Sequence, residues 1–284
     1  MMEKPSPLVI TLAPTGIVPS RDQAPHLPIT PTEIATDVKR CFAAGARLFH
    51  IHARTEEGEA TCRREVFAEI VGRVRQAVPQ AILCVSTSGR RFPSYQDRSE
   101  VLDLEGELKP DLASLTPGSM NFPREASINS PEIIGRLATA MQERGIVPEL
   151  EIFDFGMVDY VHYLIGKKVL RPPFVFNLLL GSLGTLSASP LNLALMVERL
   201  PAGAFWSAAG IGRFQFSMNA LGIAMGGHVR TGLEDNLFLD RDKLQPATNA
   251  GLVERIARQA EALERPLATP EQARRILGLP TLTP

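Results

Sequence analysis

Two histidines, His50 and His52, lie two residues apart in the run Phe49-His50-Ile51-His52-Ala53-Arg54. The segment Leu48 to Ala53 follows a helix-like stretch ending at Gly45 and precedes the turn-like Thr55-Glu56-Glu57-Gly58, so it reads as a strand. Residues i and i+2 of a strand share a face, with Cα atoms roughly 6.5–7 Å apart. Two imidazoles at that separation can converge on one zinc-sized cation. They can equally be hydrogen-bonded core histidines, and a third ligand would separate the two readings.

The remaining histidines make poor third ligands. His162 falls inside a helix-like stretch, His228 opens a strand-like run, and His26 sits in a loop without a patterned partner. The carboxylates Glu234 and Asp235, which close the last strand-like run, are better placed. His50, His52 and Glu234 together supply the three protein ligands that catalytic zinc usually keeps, leaving one position open. A metal so held polarises a carbonyl or activates water. Asp235 beside it is placed to move a proton, steered by Arg230, which shares strand parity with Glu234. A buried arginine there needs an anion, which Asp235 or Glu151 can supply; an ion-pair network that merely closes the barrel mouth is the alternative. Ser86-Thr87-Ser88-Gly89 offers hydroxyls and backbone N–H groups to an anion, or is an ordinary glycine turn. Gly210-Ile211-Gly212-Arg213 suits a phosphate against a helix N-terminus, or is simply a tight turn.

The elements that must carry these residues repeat along the chain. Strand-like runs at Leu8–Leu12, Leu48–Ala53, Ala81–Val85, Asp111–Leu115, Val147–Phe153, Phe174–Leu180, Ala204–Ala208 and His228–Gly232 each end in a polar or glycine-bearing segment. Between them the pattern predicts helices at Pro31–Ala44, Cys62–Val78, Ser99–Leu108, Pro131–Gly145, Met157–Gly166, Pro190–Leu200 and Phe214–Met225. Thr30-Pro31-Thr32-Glu33 combines a capping box with proline at the first helical position. Two further amphipathic helices, Asn249–Leu263 and Pro270–Leu277, finish the chain. Eight such strand–helix alternations point to a closed (β/α)8 TIM barrel with additional C-terminal helices, an open doubly wound sheet being the alternative. The polar segments follow the strands, the end at which barrel active sites form.

The chain of 284 residues reads as one barrel-sized catalytic domain over residues 1–284. Hydrophobic residues make up 44% and charged residues 21%, ordinary for a globular protein with a substantial core. With 30 basic against 31 acidic side chains, nothing suggests a general nucleic-acid or membrane surface. No run approaches the ~20 apolar residues of a membrane span, and the N-terminus lacks a signal-peptide layout. Cys41, Cys62 and Cys84 are odd in number and form no Cys-x-x-Cys pair. Each reads as a small filler in a reducing, cytoplasmic compartment.

Taken together, Ala13-Pro14-Thr15-Gly16, Pro28-Ile29-Thr30-Pro31-Thr32-Glu33-Ile34-Ala35, His50-Ile51-His52-Ala53-Arg54, Glu149-Leu150-Glu151 and Gly226-Gly227-His228-Val229-Arg230-Thr231-Gly232-Leu233-Glu234-Asp235-Asn236 resemble the β-keto acid cleavage enzyme family. The resemblance runs from the first strand to the last helix. It implies a zinc-dependent (β/α)8 barrel that condenses a β-keto acid with acetyl-CoA, giving acetoacetate and a new acyl-CoA. His50, His52 and Glu234 match the family's zinc ligands; Ser86, Gly89 and Thr116 match positions that contact substrate. Arg230 and Asp235 match the pair implicated in proton transfer, supported by Glu151. A homo-oligomer, dimer or tetramer, is also implied. One position departs: where members acting on an amino-bearing keto acid place an acidic residue to face the ammonium, this chain has Val18. A buried ammonium without a counter-charge is expensive, so the expected substrate has a neutral or apolar tail.

Three other functions compete. An amidohydrolase-type hydrolase also uses His-x-His on a barrel strand, but needs further histidines and often a lysine at later strand ends. An aldolase or lyase would cleave its substrate without a thioester. A binding protein would not bring the unusual residues together at one barrel mouth.

Overall fold

The computed structural model describes residues 6–281. Eight parallel strands close a barrel: β1 (Ile10–Leu12), β2 (Leu48–Ile51), β3 (Ile82–Val85), β4 (Leu112–Leu115), β5 (Val147–Ile152), β6 (Val175–Leu180), β7 (Phe205–Gly210) and β8 (His228–Thr231). Each strand pairs with its neighbours in chain order, and β8 returns to β1 with Thr11 beside Arg230. The helices are α1 (Pro31–Ala44), α2 (Arg64–Ala77), α3 (Tyr95–Ser99), α4 (Pro131–Glu143), α5 (Phe155–Gly166), α6 (Pro190–Glu198), α7 (Gln215–Ala224), α8 (Asn249–Ala262) and α9 (Pro270–Ile276). The (β/α)8 barrel with extra C-terminal helices is therefore the fold.

Local chemistry sets the helix starts. Thr30 Oγ1 accepts from the Glu33 N–H at 3.3 Å, and the Glu33 carboxylate accepts from the Thr30 N–H at 2.9 Å. This reciprocal cap begins α1 where the sequence pattern places it. Asp154 caps α5 by accepting from the Met157 N–H at 3.0 Å, so that helix starts two residues earlier than periodicity alone indicates. The stretch expected as one helix over 99–108 is instead α3 followed by 3-10 turns at Glu100–Asp103 and Gly106–Leu108. Ser94 starts it by capping Asp97, and Gly106, at φ +59°, interrupts any continuous helix.

Side-chain alternation along the strands divides the barrel into two apolar shells and a polar axis. Phe49, Ile51, Leu83, Val85, Ala113, Leu115, Leu150, Ile152, Phe176 and Leu178 face outward and join the helices in the main core. The opposite parity faces the axis. At the N-terminal end of the barrel it begins with Leu48, Ile82, Leu112, Val175 and Phe205, which pack with Ala273 of α9 and with Leu277 and Leu279 beyond it. The helix α9 thus seals that end. Two residues further along each strand the axis turns polar: His50, Cys84, Glu149 and Arg230 are all buried there. The next positions of that parity, His52, Ser86, Thr116 and Glu151, reach the C-terminal mouth.

Candidate metal and proton-transfer site

β2 ends at Ile51, two residues earlier than expected, because Ala53–Arg54 peels away to pair antiparallel with Ala60–Thr61. His50 therefore projects from the strand and His52 from its end. Their Nε2 atoms face each other at 3.3 Å. His52 Nε2 lies 3.2 Å from Glu234 Oε1, and the three side chains can offer one ligand atom each to a single ion.

Glu234 does not reach this point along a strand. β8 stops at Thr231, and Gly232, at φ +138°, turns the chain inward. A Cβ on Gly232 would lie 2.1 Å from the Ala13 carbonyl oxygen, and one on Gly16 would lie 2.6 Å from Glu234 Cγ. Only glycine at both positions lets the ends of β1 and β8 press this carboxylate against the histidines.

Arg230 organises the acidic side. Its Nε and Nη2 clamp Asp235 at 2.8 and 3.1 Å, Nη1 donates to Glu151 Oε1 at 3.2 Å, and Nη2 also lies 3.0 Å from Glu234 Oε1. Glu151 Oε2 accepts from Thr116 Oγ1 at 3.2 Å. Arg230, Asp235, Glu151 and Thr116 thus form one connected group adjoining the ligand set.

Two partners escaped the sequence reading. Glu149 Oε2 lies 2.6 Å from His50 Nδ1, and Cys84 Sγ donates to the same oxygen at 3.3 Å. Cys84 is therefore more than filler. The available signal was parity: Glu149 stands two residues before Glu151 on β5, and a carboxylate on the axis of a barrel requires a partner. A carboxylate on the far nitrogen of a ligand histidine fixes its tautomer and leaves Nε2 free to bind metal.

Four carboxylates, Glu149, Glu151, Glu234 and Asp235, share this axis with a single arginine. Without a metal ion, burial opposes charge on His50, yet Glu149 overrides that and raises the imidazole to about 9; a cation at Nε2 would have to displace that proton. Burial pushes Glu149 up, but His50 reverses this and holds it below the usual carboxylate range. Glu234 is likewise raised by burial but brought well below that range by His52 and Arg230. Glu151 and Asp235 behave oppositely: burial raises both, and the nearby cations only partly compensate. A raised carboxyl at a cleft mouth is what a proton acceptor working near neutral pH requires.

The donor set fits zinc. Two imidazole Nε2 atoms facing at 3.3 Å share at most one hydrogen bond between them, whereas a cation accepts both lone pairs. Glu234 Oε2 is buried without a hydrogen-bond partner among the described residues, and the site carries excess negative charge.

The other expected site residues are distributed around this centre. Ser86 lines a pocket with His52, Ile17 and Phe92. Gly89 backs onto Arg98, a buried arginine that donates to the Thr87 carbonyl at 2.8 Å and to Asn129 Oδ1 at 2.8 Å, tying the Ser86–Gly89 loop to the segment beyond β4. Val18, 55% exposed, lines a cavity of about 680 Å³ that adjoins the pocket through Ile17 and Phe92. Gly212, expected to offer its N–H to a phosphate, donates it to the Asp235 carbonyl at 2.7 Å. Gly210 packs so tightly on the Phe214 carbonyl that a Cβ would lie 2.4 Å from it. These two glycines shape the turn behind Asp235, and Arg213 alone of the three lines a cavity, described below. His162 bonds the Arg199 carbonyl on the outer surface, His26 is exposed, and His228 lies at the sealed end.

Comparison with known proteins bears on the family and the fold. The model of the family described as beta-keto acid cleavage enzyme matches residues 7–279. The 3-keto-5-aminohexanoate cleavage enzyme of Fusobacterium nucleatum is 38% identical over 280 residues, 98% of this chain and 99% of that one. The 3-oxoadipate:acetyl-CoA acetyltransferase of Cupriavidus necator is 36% identical over 279 residues, 97% of this chain and 96% of the other. A solved binary complex of ObcA with oxaloacetate superposes with a TM-score of 0.82 at 23% identity, covering 90% of this chain and 68% of that one, and so shares the barrel fold. The chain, matched over residues 7–279, belongs to the beta-keto acid cleavage enzyme family and is an enzyme of that class.

Proposed function

We propose that this chain condenses a β-keto acid with acetyl-CoA, releasing acetoacetate and a new acyl-CoA, at a zinc site made by His50, His52 and Glu234. The reading is supported above all by the two facing imidazoles, with Glu234 beside them and the Arg230–Asp235 clamp adjoining. Zinc bound there would supply Lewis-acid polarisation of the keto oxygen.

Atom balance decides which proton this chain must move. The new acyl-CoA carries the tail of the keto acid up to its C3, and acetoacetate carries its carboxylate and C2. The bond that breaks is therefore C2–C3, and the bond that forms joins C2 to the acetyl carbonyl. The nucleophile is C2 of the keto acid, and Asp235 takes its proton. Arg230 holds both oxygens of Asp235 and so fixes the direction of transfer. Glu151, hydrogen-bonded to Arg230 and Thr116, keeps the guanidinium in place. The thiolate released from the acetyl group then attacks C3, the C2–C3 bond breaks with its electron pair left on C2, and Asp235 returns its proton to C2 of the acetoacetate. Ser86, Gly89 and Thr116 contact the substrate, and Gly210, Gly212 and Arg213 support or bind the CoA end.

The tail of the keto acid is neutral or apolar. The adjoining cavity mixes Ile17, Val18, Ile29 and Phe92 with Arg21, Arg54 and Arg91 and the carboxylates Asp22, Glu56, Glu57 and Glu59, so this reading rests on Val18 alone, which offers no counter-charge to an ammonium at its position. Among the described residues no helix is long and apolar enough to cross a membrane, and the working compartment is the cytoplasm. A dimer or tetramer is the working assembly, supported by α6, which leaves Leu191 and Leu195 facing solvent.

A panel of β-keto acids, each incubated with and without acetyl-CoA carrying a 13C-labelled carbonyl, tests the reading. The label is expected at C3 of acetoacetate, with uncharged acids preferred over amino-bearing ones. Cleavage without acetyl-CoA would point to a lyase instead.

A further inference from the structure

A separate cavity of about 590 Å³ opens beside the loops that follow β7 and β8. Four cations line it, Arg213, Arg241, Lys243 and Arg255, against the single carboxylate of Asp240. That carboxylate is already engaged, accepting from the Leu244 and Gln245 N–H groups at 2.9 and 2.7 Å. Arg255 donates only to neutral acceptors, the Leu239 carbonyl at 2.7 Å and Gln215 Oε1 at 3.1 Å. Its Nε is buried and has no partner among the described residues.

Three phenylalanines, Phe214, Phe216 and Phe238, share the cavity with these cations. The Arg213 guanidinium lies 4.9 Å from the Phe214 ring centre and that of Arg255 lies 5.2 Å from Phe216, so flat faces and positive charge occur together. Phosphate groups are bound by arginine and lysine, and purines stack on aromatic rings and guanidinium planes. The loops after strands seven and eight are also where TIM barrels commonly take phosphate. The cavity adjoins the reaction centre: Asn236, in its lining, follows Asp235 in the chain, and the Gly212 N–H holds the Asp235 carbonyl.

We propose that this cavity binds the adenosine 3′,5′-bisphosphate end of the CoA co-substrate, with Arg213, Arg241, Lys243 and Arg255 on the phosphates and the phenylalanines on the purine. The proposal rests on the reading that acetyl-CoA is the second substrate. Phosphates at the outer rim direct the thioester arm inward along Asn236 to Asp235.

The test uses the full-length protein and two probes, adenosine 3′,5′-bisphosphate and acetyl-dephospho-CoA, which lacks the 3′-phosphate. The bisphosphate should bind by calorimetry, far more tightly than inorganic phosphate, and should compete with acetyl-CoA. Arg241→Glu with Lys243→Glu, both on an exposed loop, should abolish that binding. The double variant should raise the KM for acetyl-CoA by about tenfold or more, from the loss of charge-assisted contacts, while leaving the KM for the β-keto acid and the metal content unchanged. Acetyl-dephospho-CoA should show a raised KM with the parent protein and little further change with the variant. An unchanged KM for acetyl-CoA in the variant, or inorganic phosphate binding as well as the bisphosphate, would overturn the assignment. Bisphosphate binding that is lost in the variant, in a protein inactive on every β-keto acid, would leave the cavity assignment standing and overturn the proposed reaction instead.

Discussion

The two ends of the barrel bury the same kinds of side chain and treat them differently. At the sealed end His228 accepts from the Val9 N–H at 3.0 Å and stacks on Phe205 with ring centres 4.4 Å apart. Arg265 there donates to the carbonyls of Ser6, Ile223, Gly226 and Gly227. Its partners are backbone atoms, which cannot ionise or move independently of the fold. At the open end His50, His52 and Arg230 meet Glu149, Glu151, Glu234 and Asp235, all side chains from other positions on the barrel. Burying a charge is tolerated in both places because it is compensated. The sealed end also pairs Arg274 with the Asp111 carboxylate at 2.8 Å, but among the described residues the open end is where two histidines and four carboxylates meet, groups that can change ligand or protonation state. That difference separates a structural histidine from a reactive one more reliably than burial does.

The largest effects should come from removing the open end's own partners. His50→Ala should leave the protein without bound zinc by elemental analysis and without measurable acetoacetate formation. Full zinc occupancy in that variant would remove His50 from the ligand set. Asp235→Asn should keep its metal but lower turnover by about two orders of magnitude or more, the usual contribution of a positioned base. Near-normal turnover would remove Asp235 from the mechanism and reduce the Arg230 clamp to an ion pair that closes the barrel mouth.

A smaller effect should come from Glu149, which touches neither the open ligand position nor Asp235. Glu149→Gln keeps the shape of the side chain but loses the charge that holds His50 Nδ1 protonated. Metal affinity, measured by chelator competition, should weaken about 10–100-fold. If affinity is unchanged, His50 is oriented by packing alone, and the two ends of the barrel differ less than their partners suggest.

Much of this contrast was legible in the sequence, for a physical reason. Period-two alternation with polar closers located the strands, and the Thr30–Glu33 capping box located the start of α1. His50, His52 and Glu234 were recognisable because their side-chain chemistry is rare on an apolar scaffold. Parity suggested that Glu234 lies on a strand face with Arg230. The chain instead brings it there through the glycine turn at 232, because strand pairing ends at Thr231. The roles of Glu149 and Cys84 depend on β3 pairing beside β2, with Cys84 in register with His50, and on β5 standing further round the barrel, relations that periodicity within one strand does not carry. The same holds for the cavity cations, since Arg213, Arg241 and Arg255 come together only after β7 and β8 have closed the barrel.

The smallest effect belongs to the sealed end and bears on stability rather than catalysis. Burial first, and then Arg265, push the His228 imidazole down to about 3. An unfolded histidine titrates near 6.5. Between those values the unfolded chain takes up a proton that the folded chain excludes, so stability falls as pH drops below about 6.5 and stops falling only near 3. At pH 5 this one group should destabilise the fold by about 2 kcal/mol relative to pH 7.5. His228→Asn keeps an acceptor for the Val9 N–H but cannot take up the proton. Urea denaturation of both proteins at the two pH values isolates the effect, because every other titrating group is common to them. The parent should lose more stability on acidification than the variant, by about that amount, although the variant starts lower at pH 7.5 for want of the Phe205 stack. Parallel losses would mean that His228 is protonated inside the fold. The sealed end would then tolerate an ionising side chain just as the open end does.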